Sequence, residues 1–221
     1  MDHQKGVDII RRTGVIAIMR AQTSEQLLRA ADAIREGGVR AIEVTMTTPG
    51  ALSIIEQAVA RYWHAGEEVL FGAGTVLDAE SARAAILAGA QFIVAPSFSP
   101  ALVEICRRYS VPVMPGAYTP TEILAAWEHG ADMVKVFPAS IGGPALIKAL
   151  KAPLPQIELV PVGGVKLENT ADFVRAGAAA VGVGSALINN QRLLDSQDFG
   201  TLTERARRFM EEVARGRGLE R

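Results

Sequence analysis

From one end to the other, short and nearly uninterrupted apolar runs alternate with longer amphipathic stretches. The short runs lie at 15–19, 41–45, 69–72, 92–95, 111–114, 133–137, 158–162 and 180–183. Apolar runs of this length that do not alternate with polar residues read as strands buried on both faces, as in a parallel sheet covered by helices. The segments between them carry helix starts at Thr23 with Gln26, at Thr48-Pro49, at Asp78, and at Thr119 followed by Pro120 and Glu122. A Thr or Asp side chain there accepts a hydrogen bond from an N–H that the first helical turn leaves unsatisfied, and a proline in that turn loses nothing by lacking its own. Eight strands separated by helices, with no long linker and no shift in composition, predict a single (β/α)8 barrel over 1–221. A short N-terminal helical segment precedes it, and a solvated helix over 202–218 follows. The competing arrangement is an open doubly wound sheet, but the Gly-x-Gly-x-x-Gly expected after its first strand is missing.

A second regularity concerns the glycines Gly38, Gly89, Gly130 and Gly177, each of which ends a helix and leads into a strand. Five residues beyond them stand Glu43, Val94, Lys135 and Gly182, on the second, fourth, sixth and eighth strands. Each interior layer of such a barrel takes one side chain from each of four alternate strands. These four residues are therefore predicted to share a layer, with Glu43 and Lys135 on opposite walls and Val94 and Gly182 leaving space between them. Lys135 is also anomalous in its own run, Met133-Val134-Lys135-Val136-Phe137, where a buried strand should carry no charge. Burial disfavours the ammonium form, lowers the pKa and frees a neutral amine to attack a carbonyl. The carboxyl of Glu43 is then placed to move protons. The alternatives are a strand-end lysine that snorkels to water and a buried ion pair that serves packing specificity.

Barrel active sites open at the carboxyl ends of the strands, so the residues after each run are the candidate ligands. Arg20 follows the first strand and suits a planar carboxylate, which a guanidinium holds by two hydrogen bonds. Thr45, Thr47 and Thr48 follow the second, Gly72-Ala73-Gly74-Thr75 the third, and Pro96-Ser97 the fourth. Thr45, Thr47, Pro96 and Phe137 are expected to complete the pocket wall. After the seventh strand comes Val162-Gly163-Gly164-Val165, and after the eighth Gly182-Val183-Gly184-Ser185. Glycine lets backbone N–H groups approach an anion, and Ser185 adds a hydroxyl, so Gly163, Gly164, Gly184 and Ser185 predict a phosphate site.

Composition narrows the partners. With 49% hydrophobic residues, 21% charged and a net charge of -1, the chain has material for a large core. It offers no basic field for nucleic acid or for an anionic membrane, which leaves a small molecule as the expected ligand. Cys106 is the only cysteine, so an internal disulfide is excluded, and its apolar neighbours read as helix packing. His3, His64 and His129 are scattered without metal-ligand spacing, which disfavours a catalytic metal. The first residues lack the apolar core of a signal peptide, and no run of about 18 apolar residues follows, so a cytoplasmic location is expected.

The segments Gly37-Gly38-Val39-Arg40-Ala41-Ile42-Glu43-Val44-Thr45, Gly72-Ala73-Gly74-Thr75-Val76, Lys135-Val136-Phe137-Pro138-Ala139, Val162-Gly163-Gly164-Val165 and Gly184-Ser185 resemble one family over nearly the whole chain. It is the family of 2-keto-3-deoxy-6-phosphogluconate aldolase and 4-hydroxy-2-oxoglutarate aldolase. The resemblance implies Lys135 as a Schiff-base lysine, Glu43 as general acid/base, Thr75 as a ligand of the pyruvate part, and Gly163, Gly164, Gly184 and Ser185 as the phosphate site. It further implies a keto-acid phosphate substrate, no cofactor and a homotrimer. One departure stands out. Many members carry an arginine two residues beyond the threonine of Glu-x-Thr, where this chain has Thr47. Other relatives place an arginine at the end of the first strand, as in Ile18-Met19-Arg20 here, so Arg20 is expected to take over the carboxylate. That exchange leaves open the C4 epimer, 2-keto-3-deoxy-6-phosphogalactonate. An isomerase or epimerase using Glu43 as base, a metal-assisted aldolase, and a phosphate-metabolite binder or assembly subunit with a structural Glu43–Lys135 pair remain competing functions.

Overall fold

A computed structural model describes residues 2–20, 23–64, 68–188 and 198–219. The strands are β1 (Val15–Met19), β2 (Ala41–Thr45), β3 (Leu70–Gly74), β4 (Ile93–Val94), β5 (Val113–Met114), β6 (Gly116–Ala117), β7 (Val134–Val136), β8 (Leu159–Pro161) and β9 (Val181–Val183). They pair in the orders β5-β4-β3-β2-β1-β9 and β6-β7-β8, and every ladder is parallel. Pro115 separates β5 from β6, which continue one another along the sheet, and its carbonyl accepts the Lys135 N–H at 2.9 Å. Bridges between Leu159 and Ala178 and between Val162 and Gly182 join β8 to β9. The sheet thereby closes into the expected barrel, with β5 and β6 sharing one of its eight strand positions.

Most strand limits lie within one residue of the sequence reading, and two strands differ by more. The third strand runs on through Gly72, Ala73 and Gly74, although glycine weakens a strand, because inward neighbours fill the space that side chains would need. The fifth, expected over 111–114, is shorter and resumes after Pro115, which has no N–H for the ladder.

The helices are α1 (His3–Thr13), α2 (Ser24–Glu36), α3 (Ala51–His64), α4 (Ala79–Leu87), α5 (Pro100–Arg108), α6 (Pro120–Glu128), α7 (Gly143–Lys151), α8 (Leu167–Arg175) and α9 (Phe199–Gly216). Thr23 and Asp78 cap α2 and α4 by accepting the N–H groups of Gln26 and Ser81, and Thr119 and Glu122 cap α6 reciprocally. At the other ends, α2, α4, α6 and α8 finish alike. Gly38, Gly89, Gly130 and Gly177 take φ of 102°, 94°, 95° and 103°. The N–H of each following residue reaches back five positions, to Ile34, Ala85, Ala126 and Phe173. This left-handed cap satisfies carbonyls the helix cannot, and only glycine enters it without a Cβ penalty.

Apolar side chains form two layers. One lies between the strands and the surrounding helices, with Phe71, Ile34, Ile55, Phe173 and Phe209 among its largest members. The other fills the barrel, where Ile16, Ala41, Leu70, Phe92, Met114, Met133 and Val160 meet Val7, Ile9 and Ile10 of α1. The helix before β1 therefore plugs the amino end of the barrel and leaves the carboxyl end for chemistry. Among the described residues, no helix is long and apolar enough to cross a membrane.

Candidate active site

Glu43 lies at the centre of β2 and Lys135 at the centre of β7, only 2% and 6% exposed. Glu43 stands opposite Ile18 on β1 and Gly72 on β3; Lys135 stands opposite Gly116 on β6 and Val160 on β8. Strand alternation turns both inward, in the phase of Ile18, Val94 and Val160 in the interior core. Among the described residues, neither head group makes a hydrogen bond or ion pair. Their charges still interact. Burial lowers the pKa of Lys135, Glu43 opposes that shift, and Arg20 adds to it. Burial raises the pKa of Glu43 against the attraction of Lys135 and then Arg20. Both shifts favour the neutral forms, a nucleophilic amine and a carboxylic acid that can donate its proton.

The room around them comes from glycine. A Cβ added at Gly72 would stand 2.5 Å from the Phe92 ring, and one at Gly74 would overlap the Glu43 carboxyl. Gly182 was expected to leave open space, but an added Cβ there would meet Val162 at 2.6 Å and Ile18 at 3.3 Å. Its neighbours have moved in over it, as close packing of an interior requires.

Above this layer opens a cavity of about 330 Å³ lined by Arg20, Gly163, Gly164, Gly184 and Ser185 together with Ile18, Val162, Val165, Gly182 and Ile188. It gathers Arg20 and the four predicted phosphate ligands at the junction of β8, β9 and β1, while Thr75, the other predicted carboxylate ligand, is not in its wall. Gly163 and Gly164 both take left-handed φ, 85° and 83°. Asn169 pins their turn to the start of α8: its Nδ2 donates to the Gly164 carbonyl at 3.0 Å and its Oδ1 accepts the Lys166 N–H at 2.8 Å. The carbonyl of Gly184 accepts the N–H groups of Leu187 and Ile188, each at 3.0 Å, so a helical turn begins at Gly184-Ser185.

Lys135 and Glu43 are not part of that cavity wall. Phe137 connects the two regions, with its ring 5.0 Å from Lys135 Nζ and a Cβ added at Gly163 only 3.2 Å away. Thr75, half-buried just past β3, holds φ at 57°, a costly conformation for a β-branched residue. Thr45 is buried, and its hydroxyl lies 3.1 Å from that of the exposed Thr47 and 3.2 Å from that of Thr48. Position 47 thus carries a threonine tied to its own strand end rather than a cation. Pro96 is half-buried against Gly116 of the neighbouring strand. Ile18, Val162 and Ile188 were not among the predicted ligands. Ile18 shares the phase of Arg20 and Val162 directly precedes Gly163, so alternation and adjacency signalled both, whereas Ile188 arrives through the turn after Gly184.

Cys106 is buried and its thiol is pushed up to about 12 by burial and then by Asp132, which makes it a packing residue. Among the described residues, no group of three His, Cys, Asp or Glu side chains is arranged to hold a metal ion.

Comparison with known proteins adds the identity of the architecture. Residues 7–204 match the family KDPG and KHG aldolase. The chain is 40% identical over 174 residues to 2-dehydro-3-deoxy-6-phosphogalactonate aldolase of Escherichia coli K12, covering 78% of this chain and 83% of that one. To 2-dehydro-3-deoxy-phosphogluconate aldolase of Treponema pallidum it is 35% identical over 207 residues, with 93% and 96% covered. A crystal structure of KDPG aldolase from Legionella pneumophila, with pyruvate captured as a covalent carbinolamine, superposes with a TM-score of 0.83 at 26% identity, covering 91% of this chain and 96% of that one. The match spans every strand of the barrel, and the chain belongs to the KDPG and KHG aldolase family, a family of carbon–carbon lyases.

Proposed function

We propose that this chain is a Schiff-base aldolase that cleaves 2-keto-3-deoxy-6-phosphogluconate to pyruvate and glyceraldehyde 3-phosphate, and 4-hydroxy-2-oxoglutarate to pyruvate and glyoxylate. The observation that carries the reading is Lys135, buried in the barrel with a lowered pKa in the field of Glu43 and Arg20. Its neutral amine adds to the C2 carbonyl while Arg20 and Thr75 hold the C1 carboxylate. Glu43 gives its proton to the departing hydroxyl, water leaves, and a protonated Schiff base remains. That cation takes up the electron pair of the C3–C4 bond as Glu43, now a carboxylate, accepts the C4 hydroxyl proton directly or through a water. The aldehyde departs, the enamine is protonated at C3, and hydrolysis releases pyruvate and restores the amine. Gly163, Gly164, Gly184 and Ser185 hold the phosphate and position the chain for cleavage, with Thr45, Thr47, Pro96 and Phe137 around it.

The electron sink is the Schiff base itself, so the proposed reaction needs neither metal nor cofactor and proceeds in the presence of chelators. A second substrate, the C4 epimer 2-keto-3-deoxy-6-phosphogalactonate, is favoured by Thr47 at the position where many members carry arginine, with Arg20 in the cavity wall instead. Product analysis on the two epimers distinguishes them. The proposed setting is the cytoplasm and the proposed assembly a homotrimer.

Borohydride reduction in the presence of pyruvate tests the mechanism. We expect a reduced pyruvate adduct on the peptide containing Lys135 and none in Lys135→Ala. An adduct on another lysine, or no adduct in the unaltered protein, would overturn it.

A further inference from the structure

The run Gly72-Ala73-Gly74 in β3 has no role in the chemistry above, yet its last residue touches the proposed acid. Gly72 pairs with Glu43 and Gly74 with Thr45, so both glycines share the inward phase. A Cβ built on Gly74 would stand 1.7 Å from Glu43 Oε1, 2.2 Å from Cδ and 2.5 Å from Cγ. The Glu43 carboxyl therefore occupies the volume that any side chain at position 74 would fill. No turn demands glycine here, since Gly74 is not among the residues with positive φ. The backbone of β3 is also held in place there, because the Gly74 carbonyl accepts the Met46 N–H at 2.8 Å. With the strand fixed, a methyl group at position 74 forces the Glu43 side chain to move.

We propose that Gly74 is a positioning residue: its bare Cα gives the Glu43 carboxyl a seat against β3 and so sets its direction inside the barrel. This rests on Glu43 being the proton carrier of the proposed reaction. It assigns to position 74 a requirement of volume rather than of backbone freedom.

A mutant cycle tests it, using Gly74→Ala, Glu43→Ala and the double variant, with kcat, KM, borohydride trapping and the urea midpoint measured for each. Gly74→Ala is expected to lower kcat about 10²- to 10⁴-fold, the range for losing a positioned acid/base, with KM little changed and Lys135 still trapped. In the double variant the carboxyl that the added methyl would displace is gone, so its kcat and midpoint are expected to match those of Glu43→Ala. Additive losses would mean that alanine damages the barrel in general, and unaltered kcat in Gly74→Ala would mean that the carboxyl needs no such seat; either overturns the proposal. If Gly74→Ala fails to fold, a folded double variant supports it and an unfolded one overturns it. Failure of the aldolase reading is separately visible as the absence of trapping in the unaltered protein, which leaves the stability cycle between positions 43 and 74 intact.

Discussion

Glu43 and Arg20 both act on the charge state of Lys135, and Lys135 and Arg20 act on that of Glu43. Burial is the largest influence on Lys135 and favours the neutral amine; the Glu43 carboxyl favours the ammonium; Arg20 disfavours it. Only the neutral amine adds to a carbonyl, so the initial rate of pyruvate trapping should rise with pH and level off below the usual lysine range, near about 10.4. The two neighbours pull in opposite directions. Glu43→Gln removes the group that favours the ammonium and should move the rise to lower pH, whereas Arg20→Gln removes a cation and should move it to higher pH. Trapping rates at saturating pyruvate measure both shifts, and displacement in the same direction would contradict the arrangement. At this scale Lys135 was legible from its apolar run and Glu43 from its spacing. The role of Gly74 was not, because whether glycine serves a turn or a neighbour's volume depends on what lies across the strand.

The repeated element is a helix, a left-handed glycine and a strand. Because the four caps share one hydrogen-bond pattern, the chain leaves each helix in the same way and the fifth residue onward faces the interior each time. That shared geometry is why a count along the sequence brought Glu43 and Lys135 into one interior. Gly89 isolates its energetic weight: φ is 94°, and the nearest atom to an added Cβ, on Val59, lies 3.4 Å away, an ordinary contact. Gly89→Ala should therefore cost the backbone penalty alone, about 1–2 kcal/mol, seen as a lower urea midpoint with an unchanged slope. Elements were less legible where the interior overrides local preference. Glycine in β3 reads as the end of a strand, but the strand continues because Phe92 and Glu43 take up the vacant space.

In the whole molecule, α1 closes one end of the barrel and the loops after β8, β9 and β1 open a cavity at the other. On the outer side, α4 exposes Leu87 and α6 exposes Leu124 and Trp127, which are 70%, 37% and 42% accessible. If the proposed trimer forms through this side, sedimentation should find trimers for the unaltered chain and monomers for Leu124→Glu/Trp127→Glu. Trimers in both would move the interface elsewhere. The order of strands and helices, their caps, and the phase that turns Glu43 and Lys135 inward follow from the sequence by itself, because hydrophobic period and glycine caps act over a few residues. Only the closed barrel decided that Phe137 spans from Lys135 to the Gly163 turn, that Val162 and Ile18 fill the space over Gly182, and that Arg20 acts on both buried groups. Those relations join residues far apart in the chain, and they are set by side-chain volume and electrostatic reach across the barrel, neither of which a local pattern records.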